Sequence, residues 1–217
     1  MKDLNKAIET MSSHIRKGNL VLFRENHVTD AGARLARLCI SQCMGKGILL
    51  LEAPSSLHQG GLVTKNEDVY NALSKWESNN FNGGQCLSSI AKAAVGAGWQ
   101  LACIDSRTEY DRMKEFHSKG GQGGRARQEW MAYHIYEMLM AQQNRHYGAL
   151  LPIGLTHITG TDFGGGYESL GTMLTGQIAP IRSATKIMNE KILYRIVRRG
   201  DINRRPQSLT YATADEF

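Results

Sequence analysis

Residues 20–27 read LVLFRENH, and this stretch decides the fold. It is a run of four apolar residues that ends in polar groups, among them Glu25 and His27. A second run of the same design, residues 150–153, is followed by Gly154 and His157. Short uninterrupted apolar runs are typical of parallel strands that are covered on both faces. The two segments therefore predict strands that each deliver a histidine just beyond their carboxyl ends.

Two further apolar runs end in an acidic residue. Residues 48–51 precede Glu52, and residues 101–104 precede Asp105. In an open α/β sheet, ligands bind in the crevice beyond the carboxyl ends of the strands. A polar residue also commonly follows a buried strand because the chain there returns to water. The repetition over four strands favours a shared site, where these acids meet the two histidines.

Helical periodicity separates the predicted strands. The spacing of apolar residues predicts helices over residues 3–17, 30–45, 66–76, 85–95 and 125–145. Alternating strands and helices predict an α/β fold, with a mainly parallel sheet flanked by helices on both faces and the site at the carboxyl ends of the strands. The 217 residues suit one domain, with residues 1–18 as an N-terminal helix and 206–217 as a flexible tail.

Composition excludes several classes of protein. Hydrophobic residues make up 41% of the chain and charged residues 21%, which is ordinary for a globular protein. No apolar run approaches the roughly 18 residues of a membrane span, and residues 1–6 lack the apolar core of a signal peptide. We expect a chain that acts in the cytoplasm or is delivered to a target cell by a signal-less secretion system. The four cysteines form no CxxC pair and are expected to be free thiols in a reducing compartment.

The formal net charge of +6 comes from one segment. Residues 182–205 contain eight basic and two acidic side chains, whereas the rest of the chain is balanced. Apolar residues at helical spacing in this segment predict a helix with a solvated basic face. Contact with an anionic surface through residues 182–205 stays open. Nucleic acid is a disfavoured partner because no aromatic side chains interleave with the charges to stack on bases.

A glycine-rich stretch precedes the long predicted helix. Residues 119–124 hold four glycines, which can cradle a phosphate, but the Lys-Ser/Thr of a P-loop is missing. We expect a lid or hinge there. Arg127 follows, one turn before Met131, and its forked guanidinium suits strand-end carboxylates or a substrate oxyanion. A solvated surface arginine is the alternative.

Taken in order, four short motifs resemble a known superfamily. They are Arg24-Glu25-Asn26-His27, Leu51-Glu52, Arg127-x-x-x-Met131-Ala132 and Gly154-x-x-His157. This succession resembles the group of erythromycin esterases, ChaN-like haem-binding lipoproteins, and the TIKI and TraB proteins, over residues 18–200. The group usually has glycine where Arg24 stands, which alters backbone access or charge there. The resemblance implies an α/β core with its site at the carboxyl edge of the sheet.

Such residues suit hydrolysis of a small-molecule or peptide substrate. A histidine held against Glu25 or Glu52 can act as general base on water, while Arg127 stabilises the oxyanion. The expected catalytic set is Glu25, His27, Glu52, Arg127 and His157. Covalent catalysis is disfavoured because no G-x-S-x-G elbow occurs.

Dependence on a bound metal stays open. Glu25, His27, Glu52 and His157 form a nitrogen and oxygen ligand set suited to zinc, manganese or iron. TIKI-like relatives imply a metal-dependent peptidase, whereas esterase-like relatives imply metal-free hydrolysis.

The competing class is a binding protein. A ChaN-like relation implies haem or metal binding without catalysis. Large bacterial toxins also contain domains resembling this superfamily, so the chain is also interpreted as a toxin or secreted-effector domain. His58 and Tyr167 are secondary site candidates, and the oligomeric state stays open.

Overall fold

The computed structural model describes residues 2–25, 29–45, 47–54, 57, 67–80, 86–105, 122–160, 168–177, 180–183 and 193–203. The strands are β1 (Leu20–Arg24), β2 (Ile48–Pro54), β3 (Gln100–Asp105), β4 (Ala149–Ile153), β5 (Arg182–Ser183) and β6 (Leu193–Val197). The helices are α1 (Lys2–Arg16), α2 (Asp30–Ser41), α3 (Glu67–Asn80), α4 (Cys86–Gly96), α5 (Gln122–Met140), α6 (Leu155–Thr159) and α7 (Leu170–Thr175). Single 3-10 turns occur at Gln142–Asn144 and Arg199–Asp201.

These strands form one sheet in the order β3-β2-β4-β1-β6-β5. The first four strands are parallel, and β6 and β5 add an antiparallel edge beside β1. In β1 and β4, Leu20 lies opposite Ala149 and Arg24 opposite Ile153, so the two strands end at the same level. The prediction of an α/β fold with a mainly parallel sheet is confirmed.

Alternation along each strand sorts the apolar side chains onto two faces. Val21 and Phe23 of β1 pack with buried residues of α1, α2 and α4. Leu20 and Leu22 pack on the opposite face, with buried residues of α5, α6 and α7. Each such side chain contributes about 1.5–3 kcal/mol on full burial, which explains why strands covered on both faces carry no polar interruption.

The helix predicted in the basic segment is wrong. Residues 193–197 form β6, in which Arg195 lies opposite Leu22 of β1. Tyr194 packs on the α1 to α4 face and Val197 on the α5 to α7 face, so the segment follows the alternation of a strand. Residues 184–192 and the expected tail at 206–217 lie outside the described residues.

The start and end of the long helix also differ from the prediction. α5 begins at Gln122, so Gly123 and Gly124 lie in its first turn, and it ends at Met140. Gly123 and Gly124 are therefore helical, residues 119–121 lie outside the described part, and the lid or hinge stays a prediction. At α2, Thr29 occupies the N-cap position, but its side chain makes no cap hydrogen bond.

Three of the four cysteines are buried, and all four are free thiols: Cys39, Cys43, Cys86 and Cys103. Within the ranges given above, no helix is both long and apolar enough to cross a membrane.

Candidate functional site

The first acidic group follows the alternation of β2. Leu50 packs on the α5 to α7 face and Leu51 on the opposite face, so Glu52 has the same direction as Leu50. Glu52 is 7% exposed. Beyond it the register with β3 shifts, because Leu51 lies opposite Cys103 but Pro54 lies opposite Asp105.

Both oxygens of the Glu52 carboxylate accept hydrogen bonds. Oε2 accepts from the backbone N–H of Gly154, which directly follows β4, at 2.9 Å. Oε1 accepts from Nη2 of Arg127 in α5 at 2.7 Å. Nε2 of His157 in α6 lies 3.2 Å from the same Oε1. The carboxylate therefore links β2 to the end of β4 and to two helices on one face of the sheet.

Arg127 joins Glu52 to a second carboxylate. Its Nε lies 3.0 Å and its Nη2 2.6 Å from Oδ2 of Asp105, the last residue of β3. Burial alone would lower the pKa of Arg127, but the two carboxylates outweigh it and raise that pKa above its usual range. The guanidinium is thus a fixed cation, and its Nη1 makes no hydrogen bond to the residues described here.

His157 comes from a short helix that starts at the strand end. Gly154 is the N-cap of α6, a helix of five residues, and His157 lies in its last turn. The imidazole is 5% exposed. Its Nδ1 is hydrogen-bonded to Oε1 of Gln128, while Nε2 faces Glu52. Both ring nitrogens therefore have a polar neighbour inside the protein.

Gln128 was missed by the sequence reasoning. It is fully buried beside Arg127, and its Nε2 donates to the carbonyl oxygens of His157 at 3.3 Å and Glu168 at 3.1 Å. A signal was present, because Gln128 continues the buried stripe of α5 one turn before Met131. A glutamine on such a stripe needs hydrogen-bond partners inside the protein.

Glu25 lies in different surroundings. It follows β1, is buried, and its backbone N–H donates to the carbonyl oxygen of Ile153 at 3.0 Å. Its Cγ lies against Gly32 in the first turn of α2. Burial raises the pKa of the Cys86 thiol to about 11, and the nearby Glu25 carboxylate adds to the rise. Glu25 therefore faces α2 and α4, whereas Glu52 faces α5.

The structure brings together Glu52, Arg127 and His157 of the predicted set. β4 lies between β1 and β2, so the strand that leads to Glu25 lies about 10 Å from the strand that carries Glu52. Three candidates lie outside the described residues: His27, His58 and Tyr167. Asp105, expected at this rim, joins the cluster through Arg127.

Two of the predicted metal ligands, Glu52 and His157, lie in this cluster. In the part of the chain that the structure describes, no group of three or more His, Cys, Asp or Glu side chains could hold a metal ion. Glu52 and His157 would supply two ligands, but Arg127 and Gly154 already occupy the two oxygens of Glu52. The donors described here therefore do not fit a metal centre.

Comparison with protein-family models, with curated proteins and with solved structures gives no match for this chain. The resemblance to the erythromycin-esterase and TIKI group therefore stays a prediction.

Proposed function

We propose that this protein is a hydrolase of the erythromycin-esterase and TIKI type, with Glu52, Arg127 and His157 as its central machinery. One observation carries the proposal. These residues were selected from three separate motifs, and they meet in one buried hydrogen-bonded cluster. Buried ionisable groups gathered at the carboxyl edge of an α/β sheet are typical of catalytic sites.

His157 would take the proton from the attacking water. Nδ1 is hydrogen-bonded to Gln128, so Nε2 is the nitrogen that can accept this proton. The proton would then lie against Oε1 of Glu52, which is 3.2 Å away and stabilises the imidazolium. The hydrolysed bond would be an ester, an amide or a phosphoryl linkage.

Arg127 would stabilise the oxyanion that forms when water attacks. Two of its nitrogens are held by Glu52 and Asp105, so the guanidinium is oriented before substrate arrives. Nη1 is the atom proposed to donate to the developing negative charge. Preorganised donors of this kind typically contribute about 10²–10³-fold to kcat.

The metal-free form of the mechanism is proposed because of how Glu52 is bonded. Withdrawing Oε1 from Arg127 to ligate a metal would leave the guanidinium with one carboxylate instead of two. Glu25 and His27, which follow β1, also stay in the proposed set, although β4 separates β1 from β2.

The proposal is tested with purified protein on three probe classes: p-nitrophenyl esters, a macrolide lactone and a peptide pool. We expect turnover on at least one class, with kcat/KM reduced by about 10²–10⁴-fold in His157→Gln. The exposed His146→Gln is the matched control and should keep full activity. Equal activity in the two variants contradicts His157 as the general base, and no turnover by the parent protein contradicts a hydrolase. Stoichiometric haem, detected by a Soret band, would then favour the ChaN-like binding class.

A further inference from the structure

The amide of Gln128 has only one orientation that satisfies its neighbours. Two backbone carbonyl oxygens, of His157 and Glu168, lie at 3.3 and 3.1 Å from its Nε2. Carbonyl oxygens only accept, so the NH₂ group must face them. A flipped amide would set its own oxygen against both carbonyls in a fully buried position. Oε1 of Gln128 therefore points at Nδ1 of His157.

An oxygen that only accepts fixes the proton on the imidazole. Nδ1 of His157 must carry hydrogen to satisfy Oε1 of Gln128. On the other side of the ring, Nε2 faces Oε1 of Glu52, which is also an acceptor. That oxygen already accepts from Arg127, and the second oxygen of Glu52 accepts from Gly154. Oε1 of Gln128 has no other donor among the described residues, so a single ring hydrogen is needed more at Nδ1. Because the carboxylate cannot turn away without losing these donors, the ring is held from both sides.

We propose that Gln128 is a positioning residue that fixes His157 in the Nδ1–H tautomer and leaves Nε2 as its proton-exchanging nitrogen. The use of that tautomer in catalysis rests on the proposed function, but the tautomer itself follows from the hydrogen bonds. A general base must present its lone pair to water, and a histidine locked in the wrong tautomer has lowered kcat about 10⁴-fold in the serine-protease triad.

Removal of the acceptor should release the ring. In Gln128→Leu nothing favours hydrogen on Nδ1, and the proton moves to Nε2, where Glu52 accepts it. The exposed Gln143→Leu, in the turn after α5, is the control for the loss of an amide elsewhere.

The experiment is a long-range ¹H–¹⁵N correlation spectrum of histidine-labelled protein at a pH above the range in which imidazole titrates. His157→Gln assigns the ring signals, and the backbone amide spectrum verifies that each variant is folded. We expect a protonated Nδ1 in the parent protein and in Gln143→Leu, and a bare Nδ1 in folded Gln128→Leu.

A bare Nδ1 in the parent protein overturns the proposal, and so does a protonated Nδ1 in folded Gln128→Leu. If Gln128→Leu is unfolded, the parent protein decides, since it must show the protonated Nδ1. The spectrum does not depend on turnover. A correct tautomer without hydrolysis would contradict the proposed function and leave the role of Gln128 in place.

Discussion

Replacing Arg127 with methionine removes the cation that two buried carboxylates share. The side chains of Glu52 and Asp105 are 8% and 2% exposed, and that of Arg127 is 14% exposed, so water can replace little of the lost interaction. Breaking a buried ion pair by removing one partner costs about 3–5 kcal/mol. At about 2–4 °C of Tm per kcal/mol for a chain of this size, the Tm should fall by roughly 6–20 °C.

The assay is urea unfolding of Arg127→Met beside Arg34→Met, an exposed position on α2 that should change little. Adding Glu52→Gln and Asp105→Asn to Arg127→Met should restore at least half of the loss. Equal stability of the two arginine variants would refute the shared ion pair.

Further predictions concern positions away from the cluster. A Cβ on Gly148 would overlap a backbone carbonyl in the last turn of α1, so Gly148→Ala should lower the free energy of unfolding by about 1–3 kcal/mol or more. Gly96 has open space around it, so the control Gly96→Ala should not destabilise the fold. Arg199 donates to four backbone carbonyl oxygens, so Arg199→Met should lower Tm clearly more than the exposed Arg198→Met; equal effects would contradict its linking role. Burial raises the pKa of the Cys103 thiol to about 12, so iodoacetamide at neutral pH should label it only in urea. Labelled Cys103 in native protein, detected by mass spectrometry, would contradict this prediction.

The parallel core of the fold was predictable because its strands are uninterrupted apolar runs. Residues 48–51 and 150–153 can be buried on both faces of a sheet, which is typical of parallel strands. β6 was predicted as a helix because Leu193, Ile196 and Val197 also lie at helical spacing. Arg195 in this strand is buried against Ser169, whereas a charge on a surface helix would be solvated. The segment becomes a strand with alternating side chains because it pairs with the neighbouring β1.

The candidate site was predictable in part, for a related reason. The rule that strand ends converge placed Glu52 and His157 at one edge, and it also placed Glu25 there. It gives no information about the face, which the alternation along each strand decides. Glu52 has the same direction as Leu50, toward α5, whereas Glu25 has the same direction as Phe23, toward α2.

Gln128 escaped prediction for a different reason. A glutamine beside an arginine on a helix carries no motif of its own, and its role arises only when α6 brings His157 across to it. Partners that are 29 residues apart in sequence are set by tertiary packing and not by local spacing.

The central proposal is that the cluster around Glu52 activates water. The most direct test is kcat/KM of Glu52→Gln on whichever probe ester, lactone or peptide the parent protein cleaves, measured beside Glu9→Gln, an exposed position on α1. We expect Glu52→Gln to lose at least about 10²-fold while Glu9→Gln keeps the activity of the parent protein. A folded Glu52→Gln variant that hydrolyses the probe as fast as Glu9→Gln would contradict the account.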